Sequence, residues 1–377
     1  MLIQSLSAFL LAALLGRAAP ADPGGQARDT SNEHRDDFLV RPLGSLIDSN
    51  GSGARIISQD GAYSINLNDG RALWIFGDTF YGTRPKGEKC KIEGAVFNNS
   101  ALTSTDASKG VPPFTHLIDQ TGKAAPVILV DPQRENPKTI RLWPGSGVKI
   151  GKRIYLYYGM LTITESGAWD TTNGGQGIAV SENPSRPFQR LMRNGQYIFW
   201  DGRQIPWGSA LLKDRDGWIY FYGRQTISEL IYQYKLARVR PGDIENPDQY
   251  EYYSGGAAGT DWTRNVAHAA ILFDDAPPEG SVSYNQFLGK YLALYSRWLD
   301  EDVAIRTAPH PWGPWSQAEQ VFDCKAHHVE GSYAAKEHPE FSRDGGRIVV
   351  FTVVDGKREF GGVPFMFELD LSSHPVP

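Results

Sequence analysis

Cysteine is almost absent from this chain, whose 377 residues include Cys90 and Cys324 alone. Two thiols exclude a disulfide-dense scaffold and a cysteine-built zinc site; in an exported chain they read as one bridge, Cys90–Cys324, tying an early loop to a late one. Basic runs are missing too. With 38 Lys and Arg against 43 Asp and Glu the net charge is -5, which argues against a nucleic-acid or membrane partner. The one apolar run, residues 6–15, falls well short of the roughly 20 residues that span a bilayer. It has no basic residue before its start, but small residues and Ala19-Pro20-Ala21 follow it, as in an export signal. The organisation expected is a signal peptide over 1–21, a polar leader over 22–36 and a single domain over 37–377, secreted, extracellular and monomeric. Walker loops, dinucleotide fingerprints and metal-ligand spacings are also lacking, the adjacent His327-His328 included, so no cofactor and no metal is expected. The sequons Asn50-Gly51-Ser52 and Asn98-Asn99-Ser100 are candidate glycosylation sites that would make it a glycoprotein.

What the chain has in quantity is turn formers and flat rings: 40 Gly, 24 Pro, 10 Trp, 17 Tyr. That profile describes many short strands, tight turns and stacking surface for sugars. One local pattern, an alternating strand, a glycine turn and an aromatic or β-branched strand, occurs five times, starting at Ala62, Ser146, Ser209, Ser281 and His338. Each copy is a β-hairpin signal. Further short strands lie between the copies, as in Gly177–Leu191, Tyr232–Tyr250 and Val303–Val321. Two strands plus two strands make a four-stranded blade, and five such units predict an all-β, five-bladed β-propeller. A β-sandwich shares the alternation but has no reason to repeat one hairpin five times.

Loops at the entrance of the inner strands converge in such a fold, and chemistry is sought there. Asp60 and Asp78 bracket the first hairpin, 18 residues apart, and should face each other across one blade end. Paired carboxylates are what glycoside cleavage needs, one protonated to assist the leaving group, one ionised to activate water or attack the sugar. Asp beside Gly is equally a turn signal. In the last repeat Glu330 or Glu337 could act as a general acid, with His338 binding ligand or relaying protons; a solvated loop is the alternative. Trp143 and Trp207 precede the second and third hairpins and could line the same mouth as stacking platforms, or pack between blades. His268, a lone polar residue among small ones, is a weaker candidate for binding. Trp312 and Trp315 read as packing.

The run Asp60–Phe80, the following Phe97-Asn98-Asn99-Ser100-Ala101, the segment Ser281–Ser296 and Ile305–Ser316 resemble a five-bladed propeller family long catalogued as a domain of unknown function, among whose members are endo-D-arabinanases. The resemblance covers Asp60 to Leu371, and Trp74–Phe80 is its most specific part. It implies a glycoside hydrolase acting on furanosides of an arabinan-like polysaccharide, with the paired aspartates at Asp60 and Asp78. Residues 334–340 depart from the family pattern, which leaves the sugar open. A glycan-binding propeller without catalysis, and a propeller lyase acting on uronate-bearing glycans, are the alternatives.

Overall fold

The computed structural model describes residues 38–376 apart from 48–54, 84–88, 165, 167–168, 203–206, 229–230, 257–260, 277, 298–299 and 360. The expected signal and leader, and Asn50, lie outside the described residues. The architecture is all-β; among the described residues the helical turns are three-residue 3-10 segments.

Local chemistry sets the hairpins. Between Tyr63–Asn66 and Arg71–Phe76 the chain turns through Asn68 and Gly70, both at positive φ, while the Asn68 N–H donates to Asn66 Oδ1 at 2.7 Å. Asn and Gly tolerate that left-handed geometry, which tight hairpins require. The second strand is buried on both faces: Leu73 and Ile75 pack to one side, Ala72, Trp74 and Phe76 to the other. A strand covered twice reads as a continuous apolar run rather than an alternation.

Five antiparallel sheets follow this plan, four of them ordered as the chain runs outward and the fifth so ordered except for its outermost strand. Their first strands are Tyr63–Asn66, Ile140–Ile150, Trp207–Lys213, Ser281–Asn285 and Tyr333–Glu337. Five apolar clusters lie between successive sheets: first and second around Leu156, second and third around Tyr157, third and fourth around Tyr222, fourth and fifth around Phe351, fifth and first around Trp74. Polar contacts follow the same cycle. Lys149 Nζ reaches Leu67 O, Ser146 Oγ reaches Gly208 O, Tyr291 OH reaches Asp214, the Glu337 N–H reaches Ser281 Oγ, and His338 Nδ1 meets Ser64 Oγ. A sixth, three-stranded sheet of Ile56–Gln59, Thr79–Thr83 and Lys91–Val96 extends from the first.

Three expectations change. The fifth hairpin begins at Tyr333–Glu337, and the stretch from His338 forms 3-10 turns at Pro339–Phe341 and Asp344–Gly346, because Pro339 has no N–H for a ladder. No Cys90–Cys324 bridge exists: Cys324 is buried beside Phe322 and Val329, while Cys90 lies just before Lys91–Val96 of the three-stranded sheet with its thiol directed at Glu359. Instead, Leu39–Ser45 pairs with Val363–Asp370, so the earliest described strand completes the last sheet. The Asn98 sequon is closed: its amide donates to Leu142 O and accepts from the Ile128 N–H inside the protein.

Candidate functional site

Where the first sheet hands over to the three-stranded sheet, the ladder breaks at Asp60-Gly61-Ala62 opposite Phe76-Gly77-Asp78. Gly61 and Ala62 both take positive φ, which turns the chain sharply. The Gly77 N–H donates to Asp60 O at 2.9 Å, and the Asp78 N–H donates to Asp60 Oδ1 at 2.8 Å. A Cβ on Gly77 would overlap that Oδ1, so only glycine lets the carboxylate lie against the backbone. The two aspartates thus come together at one end of the first sheet, each recessed but partly exposed.

Every other sheet sends a residue here. From the fifth, the Tyr333 OH donates to Asp60 Oδ2 at 3.2 Å, and Lys336 Nζ donates to Gly61 O at 2.5 Å and Ala334 O at 3.0 Å. Lys336 also meets Glu279 Oε2 at 2.6 Å, just before the fourth sheet's first strand, and lies 4.2 Å over the Tyr63 ring. Tyr63 hydrogen-bonds Glu279. The second sheet contributes Arg141, whose charge acts on Asp78 and whose guanidinium lies 4.1 Å over the Phe97 ring. The third contributes Arg224, anchored to Pro278 O at 2.9 Å.

The electrostatics follow from enclosure. Burial lifts the Asp60 carboxyl well above its usual range, and the charges of Asp78 and Glu279 push it further, while hydrogen bonds from Tyr333 and the Asp78 backbone pull the other way. Burial pushes Asp78 up to about 6 against the pull of Arg141. Lys336 is pushed down by burial, opposed by Glu279 and Asp60. One carboxyl that holds its proton more tightly than usual, a second pushed up to about 6 and a third tied to a lysine supply proton donors and acceptors side by side. Among the described residues no group of three or more His, Cys, Asp or Glu is arranged to hold a metal ion.

The remaining expected residues are dispersed. Glu337 alternates away from Lys336, is buried against Ser283 Oγ at 2.7 Å, and is pushed up to about 7 by burial. His338 is fully buried on Trp74, its ring nitrogens engaged by Ser64 and Thr352, and burial holds it down at about 3; it has no face for a ligand. Trp207 is buried beside Tyr252 in an inter-sheet cluster and offers no open ring. His268 is exposed on a 3-10 turn beyond the outer strand Asp261–Thr263, and Glu330 is exposed near Lys357. Trp143 stays half-buried on the strand that carries Arg141, two residues on and so on the same face. Glu279 escaped the sequence reading. Its signal was there: Glu279-Gly280 precedes the fourth hairpin as Asp60-Gly61 precedes the first.

The family described as Domain of unknown function (DUF5005) matches residues 53–362. No curated protein matches the chain. Among solved structures, a protein from Bacteroides ovatus named as a candidate hydrolase is similar over 89% of this chain and 90% of its own, with a TM-score of 0.61 and 18% identity, a likeness of fold. A family 117 glycoside hydrolase of Zobellia galactanivorans (TM-score 0.49, 13% identity, 89% of this chain and 90% of that one) and a GH43_1 enzyme of Xanthomonas citri (0.47, 14%, 88% and 90%) are more distant.

Proposed function

Since the chain belongs to the family described as Domain of unknown function (DUF5005), whose span takes in the whole acid group, we propose that it is a glycoside hydrolase carried on a five-bladed β-propeller. The observation that carries this reading is the convergence of Asp60, Asp78 and Glu279, with Tyr333 and Lys336 of the fifth sheet bonded to Asp60 and Glu279 and the charge of Arg141 acting on Asp78. Glycoside cleavage asks for a protonated carboxyl at the leaving oxygen and an ionised one that activates water or attacks the anomeric carbon. Asp60, raised most strongly, fits the first role; Asp78 and Glu279 fit the second. Lys336 pairs with Glu279 and positions it, and Trp143 offers a half-buried ring on the strand that carries Arg141.

A lyase would need a tyrosine or histidine base. The phenol of Tyr333 is pushed well above its usual range by burial and by Asp60, to which it already donates, and His338 is enclosed elsewhere. These features favour hydrolysis. The substrate in this reading is a furanosidic, arabinan-like polysaccharide met outside the cell, a choice that rests on the motif resemblance. Incubation with arabinan, arabinogalactan and other wall polysaccharides should release new reducing ends, and Asp60→Asn should abolish the release. Folded wild-type protein that binds these glycans and releases nothing would make it a binding module.

A further inference from the structure

The acid group is bordered by two positive charges that make no salt bridge among the described residues, although the charge of Arg141 acts on Asp78. Elsewhere among the described residues the half-buried or buried arginines pair with acids: Arg190 with Glu135, Arg238 with Glu251, Arg297 with Asp302, Arg306 with Asp275. Arg141 and Arg224 do not. Arg141 spends Nη1 on Ile140 O at 2.9 Å, sits over the Phe97 ring, and leaves Nε buried without a hydrogen-bond partner; Asp78 Oδ1 is buried without one as well. Arg224 spends Nη1 on Pro278 O, next to Glu279, and its charge reaches Tyr63 beside the lysine. Each guanidinium is thus held in place by backbone carbonyls, which cancel none of its charge. Half-buried arginines that make no salt bridge are costly to keep, and a planar oxyanion is the group their forked donors match best.

We propose that Arg141 and Arg224 form an anion-recognising subsite on either side of the acid group, so that the glycan cleaved carries an oxyanion, a uronate carboxylate or a sulfate ester, on the sugar at or next to the scissile bond. The inference rests on the acid group being the catalytic site, and it narrows the substrate from any furanoside-containing glycan to an acidic one. The chain itself is net negative, so attraction of such a substrate depends on these local cations and weakens as salt screens them.

The test is binding, separated from turnover by using the full chain with Asp60→Asn. Calorimetric titration compares trigalacturonate, its carboxyl-reduced counterpart galactotriose, and a sulfated galactotriose. An anionic probe should bind at least about ten-fold more tightly than the neutral one, as expected for charge-assisted hydrogen bonds, and the carboxylate and sulfate arms tell which oxyanion is preferred. The preference should shrink several-fold in Arg141→Gln and in Arg224→Gln, and between 50 and 500 mM salt. Equal affinity for all three probes overturns the proposal, as does a preference that both substitutions leave intact. Should either variant melt far below the parent, the salt dependence of the parent's preference decides, and its absence counts against the subsite. Failure of hydrolysis with retained charge preference would instead remove the catalytic reading and leave the subsite standing.

Discussion

Gly77 holds the acid group together, because the space a side chain would take is occupied by Asp60 Oδ1. Gly77→Ala must push that carboxylate off the backbone N–H of Asp78, and turnover should fall at least about ten-fold, since small misplacements of reacting groups cost that much or more. Measured melting should drop modestly, which separates displacement from unfolding. Asp78→Asn tests the neighbouring acid. Loss of the ionisable group should lower kcat by about 100-fold or more, the low end of acid–base contributions. Stability moves the other way. Burial raises the folded Asp78 above its ordinary value to about 6, so the native state holds a proton that the unfolded chain releases, and stability is lost as pH rises from about 4 through 6. The asparagine variant escapes that loss and should be the more stable protein at pH 7, by roughly 1–3 kcal/mol in denaturant titrations. A catalytically dead variant that is also less stable at pH 7 would identify Asp78 as a structural acceptor.

At the scale of elements, the first strand of the fifth sheet sends Lys336 to the acid group and Glu337 against the fourth sheet. Alternation along a strand places adjacent residues on opposite faces, so the two charges serve different surroundings. Glu337 is pushed from 4.5 to about 7 by burial; the protein therefore loses stability as pH rises from about 4.5 to 7. Glu337→Gln keeps an acceptor for Ser283 and should flatten that part of the melting profile while leaving kcat within about two-fold at the pH optimum. A large loss of kcat with intact binding would restore Glu337 as the acid. Why the sequence misled here is physical. Four of five hairpins were legible because Asn, Asp and Gly at the turns state their own geometry, as Asn68 and Gly70 do. The Asp60–Asp78 encounter was legible because one hairpin fixes both ends. Burial was not: His338 and Trp207 look like site residues until packing encloses them, Ser64 reaching His338 from the first sheet while Thr352 and Tyr252 come from later strands of the fifth and third sheets. Glu279 joins the group from just before the fourth sheet, through Lys336 of the fifth, a contact that no spacing in the chain announces.

For the molecule as a whole, the question is what fastens the last sheet. A Cys90–Cys324 bridge would do so covalently, but the two thiols occupy different surroundings, and burial pushes Cys324 up to about 12, which leaves it protonated and unreactive. Closure comes from the strand Leu39–Ser45, which pairs with Val363–Asp370 and sets Arg41 against Glu368. Its partner strand belongs to the other end of the chain, so the fifth sheet cannot complete its ladder until both ends have met. Phe38 and Val40 add apolar surface to the cluster between the fourth and fifth sheets, and Leu43 to the one between the fifth and first. Removing residues 1–45 strips this strand, bares the edge of Val363–Asp370 and opens both clusters. Each large apolar side chain is worth about 1.5–3 kcal/mol when fully buried, and about 1 kcal/mol moves the melting point by 2–4 °C in a domain of 150–250 residues. The truncated protein should melt at least about 10 °C lower than the parent or aggregate through the exposed edge. Cys90→Ser should leave melting within about 1 °C, and both thiols should be alkylated once the untreated chain is unfolded without reductant. A stable truncation beside a destabilised Cys90→Ser variant would reverse the assignment and put the covalent bridge back at the closure.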